Sequence, residues 1–188
     1  SEEAYDFIHR CCGSYEAQKA DAIYRFVQEG LRMGRAVMSH LTAPYMQTLF
    51  AIERNFTNES HFFIEILRFE ELENGTLFGR INPKSEVLPY LADHFADRFA
   101  GEQWVIADTV HRTVLLHKAN YKTVYLSMDE VDMDELTLTY SEDEKQLQKL
   151  WKLFVDTIAI KERVNPKLQR QMLPLRFRKY MKEFSESE

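Results

Sequence analysis

Apolar residues recur along the chain with two periods, near 3.6 and near 2, and the change from one to the other organises the sequence. Ala20, Ile23, Tyr24, Val27 and Leu31 follow the i, i+3, i+4 rule, with Lys19, Arg25, Glu29 and Arg32 off the stripe. This predicts an amphipathic helix with that stripe turned to the core. Gly30 and Gly34 form a small-xxx-small step, which marks close helix packing or a helix end. Pro44 suits the first turn of a further helix, whose apolar face is Tyr45, Leu49, Ile52 and Phe56. After about Ser60 the pattern shifts. Residues 63–72 read FIEILRFEEL, apolar and rich in strand formers, and residues 76–81 read TLFGRI. Asn74-Gly75 between them predicts a hairpin closed by a type I′ turn.

A short helix with Pro89 in its first turn follows, lined by Leu91, Phe95 and Phe99 with Ala92 and Ala96. Three more strands are predicted from WVIADT, TVLLHK and YKTVYL, between residues 104 and 126. The acidic stretch 127–144 reads as a surface loop. Ser141 and Glu144 have the spacing of a capping box. The helix they open carries the stripe Leu147, Trp151, Phe154 and Ile158, with Lys145, Lys149, Lys152 and Asp156 on its wet face. Pro166 and Pro174 punctuate two short helical pieces. The expected fold is α+β, with a helical N-terminal part over 1–60 and an α+β part over 61–188. The latter comprises an antiparallel sheet of four or five strands with an inserted helix, and C-terminal helices packed on it. The two parts are expected to form one compact unit.

Composition narrows the class. The chain has 188 residues, 45% apolar and 13% aromatic, enough for a substantial core and too apolar for a disordered segment. No apolar run approaches the roughly 18 residues of a membrane helix. The opening SEEAYDFIHR has neither the basic start nor the apolar run of a signal peptide. A soluble cytoplasmic protein is expected, with no membrane association. Cys11 and Cys12 are the only cysteines and are adjacent, so they build no disulfide framework, suit a reducing compartment and are read as structural. The pair cannot complete a zinc site, and no metal or cofactor is expected.

Charge adds an asymmetry. Residues 145–188 hold eleven Lys or Arg against five Asp or Glu, whereas 51–110 hold five against eleven. Within 161–182, eight basic residues face the single acid Glu162. Lys161, Arg163, Lys167, Arg170, Arg176, Arg178, Lys179 and Lys182 interleave there with Asn165, Gln169, Gln171, Phe177 and Tyr180. Cations hold phosphates, while rings and amides contact bases, so this segment is the candidate nucleic-acid site. Asn165-Pro166 would start a helix whose free N–H groups receive a phosphate. The alternative is a solvated basic face paired with Glu70, Glu71, Glu73 or the acids of 129–135. A second candidate is the helical run containing His94, Asp97 and Arg98. At i, i+3 and i+4 a His–Asp pair for proton transfer and a phosphate-holding Arg would share an outer face. No Gly-rich phosphate loop, His-Glu-x-x-His, spaced cysteine set or Gly-x-Ser-x-Gly occurs.

Specific strings go further. Arg68-Phe69-Glu70-Glu71-Leu72 leads through Gly75 to Ile81-Asn82-Pro83, then to Val87-Leu88-Pro89, to His94-Phe95-Ala96-Asp97-Arg98-Phe99, to Trp104 and to Asp108. Near the end stand Thr157-Ile158-Ala159-Ile160-Lys161-Glu162-Arg163 and Asn165-Pro166-Lys167-Leu168-Gln169-Arg170-Gln171. From about residue 15 to 184 the chain resembles a bacterial family of DNA-metabolism proteins. These are encoded beside a radical-SAM protein with a helix-hairpin-helix element, and in some lineages are fused to a uracil-DNA-glycosylase-superfamily domain. The family's Met-Pro-Lys-Arg-Tyr-Trp-Lys block here reads Leu173-Pro174-Leu175-Arg176-Phe177-Arg178-Lys179, without the Trp. The resemblance implies a DNA-linked role and a radical-SAM partner, and assigns no catalytic residue. The first expectation is therefore a nucleic-acid-binding accessory protein in DNA repair or modification. The alternatives are a nucleic-acid-processing enzyme centred on His94, and a non-catalytic adaptor that docks an acidic protein.

Overall fold

The computed structural model describes residues 1–130, 139–158, 160 and 163–184. Residues 131–138 of the acidic stretch, Lys161, Glu162 and the side chain of Asp156 lie outside the described set. The chain divides into two compact units, Ser1–Glu65 with Pro83–Leu91, and Ile66–Asn82 with Ala92–Glu188.

The first unit is helical. Helix α1 spans Glu2–Gly13, α2 spans Lys19–Met33, a 3-10 turn follows over Gly34–Ser39, and α3 spans Pro44–Ile66. Their shared core contains Phe7, Cys11, Ala22, Phe26, Val37, Met46, Leu49 and Ile52. The expected α2 stripe is displaced. Ala22 and Phe26 are buried with Ile23 beside them, whereas Ala20, Tyr24, Val27 and Leu31 are exposed. Phe26 is the largest apolar side chain of the helix, and burying it turns the predicted face outward by about a third of a turn. The Gly30–Gly34 step is a helix end, since Gly34 has φ +61 and its N–H closes on the Gly30 carbonyl. The strand reading of residues 63–66 is also corrected. Leu49, Ile52, Phe56 and Phe63 keep one helical face buried, so α3 runs on to Ile66 before any strand begins.

The second unit carries a five-stranded sheet in the order β1-β2-β3-β4-β5, with strands Phe69–Glu71, Leu77–Ile81, Trp104–Asp108, Thr113–His117 and Val124–Ser127. The sheet is mixed, not purely antiparallel. β2 and β3 run parallel, in register Phe78 with Val105 and Arg80 with Ala107. The cause is the connection: a helix, α4 (Leu88–Arg98), lies between them, and such a crossover returns the chain to the end where β2 began. The β1–β2 hairpin is present, but its turn is not type I′. Asn74 keeps negative φ, Gly75 alone is left-handed at φ +79, and the Leu72 carbonyl accepts the Gly75 N–H at 2.8 Å. This is a three-residue loop with the glycine in the bulge position.

Alternation gives the sheet two different faces. Phe69, Trp104, Ile106 and Leu115 point to one side, where Phe95 and Phe99 of α4 meet Phe69 and Trp104 at ring separations of 5.2–6.4 Å. Glu70, Phe78, Arg80, Val105, Ala107 and Val114 point to the other, which Leu72, Leu116, Met128 and Tyr140 help to close. Helix α5 (Glu142–Ile158) begins at Ser141, whose hydroxyl accepts the Glu144 N–H at 3.1 Å. The reciprocal half of the capping box is absent. The Ser141 N–H goes to the Glu71 carbonyl, and the Glu144 carboxylate accepts the Glu71 N–H, so β1 occupies both positions. The expected burial of Leu147, Trp151, Phe154 and Ile158 does not occur, and all four are exposed. α5 turns its half-buried edge, Glu144 and Gln148, toward β1 instead.

Candidate functional site

Two constellations in the second unit carry chemistry: the basic segment, and a network around Glu70. Asn165 opens helix α6 (Pro166–Met172), accepting the Leu168 N–H on its side-chain oxygen at 3.1 Å, with Pro166 in the first turn. This helix start falls where the sequence predicts it. Every residue from Arg163 to Met172 is exposed. Arg163, Lys167 and Arg170 have no carboxylate partner among the described residues, and two of the acids expected to face them hold other cations. Glu70 holds Arg80 and Lys182, while Asp129 holds Arg112 at 2.6 Å.

The rest of the segment is anchored. Phe177 and Met181 are buried. Arg178 donates from Nε to the Leu173 carbonyl and from Nη2 to the Gln169 carbonyl, both at 3.0 Å, closing the C-terminus of α6. Its ring neighbour is Phe184, at 4.4 Å. Arg176 stacks on Phe177 at 4.2 Å, and its backbone carbonyl accepts from Asn82. The expected nucleic-acid residues thus separate into two sets. Arg163, Lys167 and Arg170 project freely with exposed Asn165, while Arg178 is tied to the helix it follows. Lys161 lies outside the described residues.

Glu70, expected only as one of several acids that would face the basic segment, does pair with Lys182 of that segment and is the most connected carboxylate of the sheet among the described residues. It is buried at the β1 edge and accepts from Tyr140 Oη at 2.8 Å, Arg80 Nη2 at 3.3 Å and Gln148 Nε2 at 3.4 Å, with Lys182 Nζ closing the set. Four donors around one carboxylate offset the cost of removing it from water. Burial, then the hydrogen bond to Glu70, pushes the Tyr140 phenol up to about 12. Above Glu70 opens a cleft of about 280 Å³, lined by Phe69, Leu147, Gln148, Trp151 and Lys182 among others. At its rim Arg68 lies 5.8 Å from the Trp151 ring, and Trp151 Nε1 donates to Glu183. Strand alternation carries the signal that locates this network: Glu70 and Arg80 fall on the Phe78 face of neighbouring strands.

The His94 constellation is not assembled. Asp97 and Arg98 are exposed, Arg98 lying over the Phe99 ring, whereas the Nε2 of His94 is buried without a partner. No hydrogen bond joins His94 to Asp97 among the described residues. Moreover, α4 covers the Phe69 face of the sheet and Lys182 the Glu70 face, so the two candidates do not line one groove. A His–Asp pair does exist elsewhere. Asp108, fully buried at the end of β3, accepts the Val110 and His111 N–H groups on Oδ1 and meets His111 Nδ1 with Oδ2 at 2.7 Å. The adjacent Thr109 hydroxyl donates to the Ile81 carbonyl and accepts from Tyr180 Oη. Three-residue spacing after a strand end, Asp then His, is the cue for this turn.

Among the described residues, no group of three or more His, Cys, Asp or Glu is placed to hold a metal ion, and no helix is long and apolar enough to cross a membrane. Fold and site together define an α+β protein whose mixed sheet carries a buried glutamate at the centre of a polar network and whose C-terminal segment exposes basic residues around α6. A family model described as "Domain of unknown function (DUF4130)" matches residues 17–183, and the chain belongs to that family. No curated protein and no solved structure matches it.

Proposed function

We propose that the protein is a DNA-binding accessory factor in DNA repair or modification. The arm around α6 holds the phosphate backbone, and a radical-SAM partner performs the chemistry. The observation that carries this reading is the set Arg163, Lys167 and Arg170. All three are exposed, lie within eight positions, and have no described carboxylate partner in an otherwise acidic chain. Unpaired cations at such spacing gain more from phosphate oxygens than from water, by releasing condensed counterions. The link to DNA and to a radical-SAM protein rests on the family resemblance of the strings from Arg68 to Gln171. The accessory role accords with the absence, among the described residues, of a hydrogen bond between His94 and Asp97.

Titrating labelled single- and double-stranded DNA at several salt concentrations tests this reading. Changing Arg163, Lys167 and Arg170 together to Gln is expected to weaken duplex binding. It is also expected to flatten the log–log salt slope by about 0.9 per lost phosphate contact. Unfolding stability should move by less than about 0.5 kcal/mol, as for exposed substitutions generally. An absence of DNA binding at low salt, with and without a radical-SAM partner, sinks the proposal.

A further inference from the structure

Helix α5 is amphipathic in sequence and inverted in space. Leu147, Leu150, Trp151, Leu153, Phe154 and Ile158 are 40–63% exposed, and no described side chain of the helix is buried. Contiguous apolar surface of this kind on a soluble domain marks an interface. The helix is not merely loose, for Glu144 accepts from the Glu71 N–H, Gln148 donates to Glu70, and Trp151 donates to Glu183. Those contacts fix which face looks outward.

We propose that α5 is a dimerisation helix, its stripe closing antiparallel against the same stripe of a second copy. Three observations select this occupant. The spacing Leu147, Trp151, Phe154, Ile158 reads 4-3-4 and is unchanged by reversal. In an antiparallel pair, Leu147 therefore meets Ile158 of the other copy and Trp151 meets Phe154, as an isologous two-fold interface requires. The charges are self-complementary along the axis. Asp143 lies in the first turn and Arg163 follows the last, so each copy's Asp143 lies beside the other copy's Arg163 with helix dipoles opposed, while Glu142 pairs with its own Lys145. Lys145, Lys149 and Lys152 sit on the far side at 100° per residue, out of the contact. The area also suffices. Leu147, Leu150, Trp151, Phe154 and Ile158 offer on the order of 500 Å² per copy, or about 1,000 Å² in total, where specific interfaces begin.

The inference shares Arg163 with the residues proposed to hold DNA but does not rest on that reading, and it is tested without nucleic acid. Sedimentation equilibrium of the full chain over micromolar to submillimolar concentrations should show a dimer of twice 22.3 kDa. Phe154→Glu and Leu150→Glu should each weaken it at least tenfold while leaving the far-ultraviolet spectrum of the dilute protein unchanged. Asp143→Lys should weaken it more modestly, and adding Arg163→Glu should restore it, a pattern that simple loss of folding cannot produce. A 22.3 kDa species at every concentration overturns the proposal. So does a dimer that is indifferent to Phe154→Glu, or one lost instead on Val27→Glu of the exposed α2 stripe.

Discussion

Helices α3 and α5 carry the same kind of message and meet opposite fates. In α3, Leu49, Ile52, Phe56 and Phe63 recur on one face and are no more than 2% exposed. In α5, Leu147, Trp151, Phe154 and Ile158 recur at equivalent spacing, and each is at least 40% exposed. The difference lies in what the flanking positions bond. The buried Glu59 of α3 accepts the Lys84 and Ser85 N–H groups at 3.0 and 3.1 Å, tying a following segment over the helix. Glu144 and Gln148 of α5 tie the helix down by its polar edge, leaving the stripe to solvent. Periodicity specifies a face, and polar bonds decide which way that face looks.

The widest contrast should appear on truncating the same residue type in both helices. Phe56→Ala empties a fully enclosed site and should cost about 3–5 kcal/mol in urea unfolding. Phe154→Ala, measured at submicromolar protein, should cost less than about 0.5 kcal/mol. Comparable losses at the two positions would mean that the α5 stripe is part of the core in solution, and the contrast drawn here would disappear.

The same contrast shows what was legible in the sequence. The α+β class, the strand positions and the Asn165-Pro166 helix start follow from local cues: alternation, turn residues and a cap. The parallel β2–β3 pairing could have been read as well, because a helix separates the two strands. The orientation of α5 could not, since it depends on Glu71 taking both Ser141 and Glu144 across about seventy residues of chain. Of the Glu70 network, alternation places Glu70 and Arg80 on one face, but no local window brings Tyr140, Gln148 and Lys182 to them. The hairpin turn differed because Asn74 puts its side chain on the Thr76 N–H at 2.9 Å and keeps its own φ negative.

Glu70 offers a second way to sharpen the comparison, because it anchors α5 and the C-terminal segment to the sheet. Glu70→Ala leaves Arg80 and Lys182 facing each other with little solvent. It should cost about 3 kcal/mol, the lower end for a broken buried pair, since both cations are about a quarter to a third exposed. Tyr140→Phe removes one donor and should cost about 1 kcal/mol. The phenol also sets a pH dependence. Its folded pKa lies near 12, above the ordinary 10, so the native state holds the proton longer than the unfolded chain. The resulting stabilisation is complete below pH 10 and is lost as pH rises toward 12. Cys11, pushed by burial from 9 to about 12, adds a parallel loss that begins near pH 9. Urea midpoints for Tyr140→Phe should accordingly fall less steeply than wild type between pH 10 and 12. Equal slopes would place the phenol outside the network.

The smallest expected effect concerns α6, where the comparison with a buried helix is most extreme because nothing covers its seven residues. Asn165 both caps that helix and stands among the residues read as contacting nucleic acid. The two roles separate on substitution. Asn165→Ala removes the acceptor for the Leu168 N–H and should cost about 1 kcal/mol of local helix stability, with no shift in global unfolding. Asn165→Ser keeps a capping oxygen but shortens the reach toward a base or phosphate. If Asn165 acts on binding only by holding Lys167 and Arg170 in helical register, Ala should weaken DNA affinity by up to about fivefold, the equivalent of that 1 kcal/mol. Ser should then restore most of it. If Asn165 touches DNA directly, both variants should weaken binding alike. Amide hydrogen exchange at Leu168 and Gln169 supplies the readout that binding alone cannot, since it should accelerate in the Ala variant and stay near wild type in the Ser variant. Unchanged exchange in both would show that α6 is held by Arg178 at its other end and not by its cap.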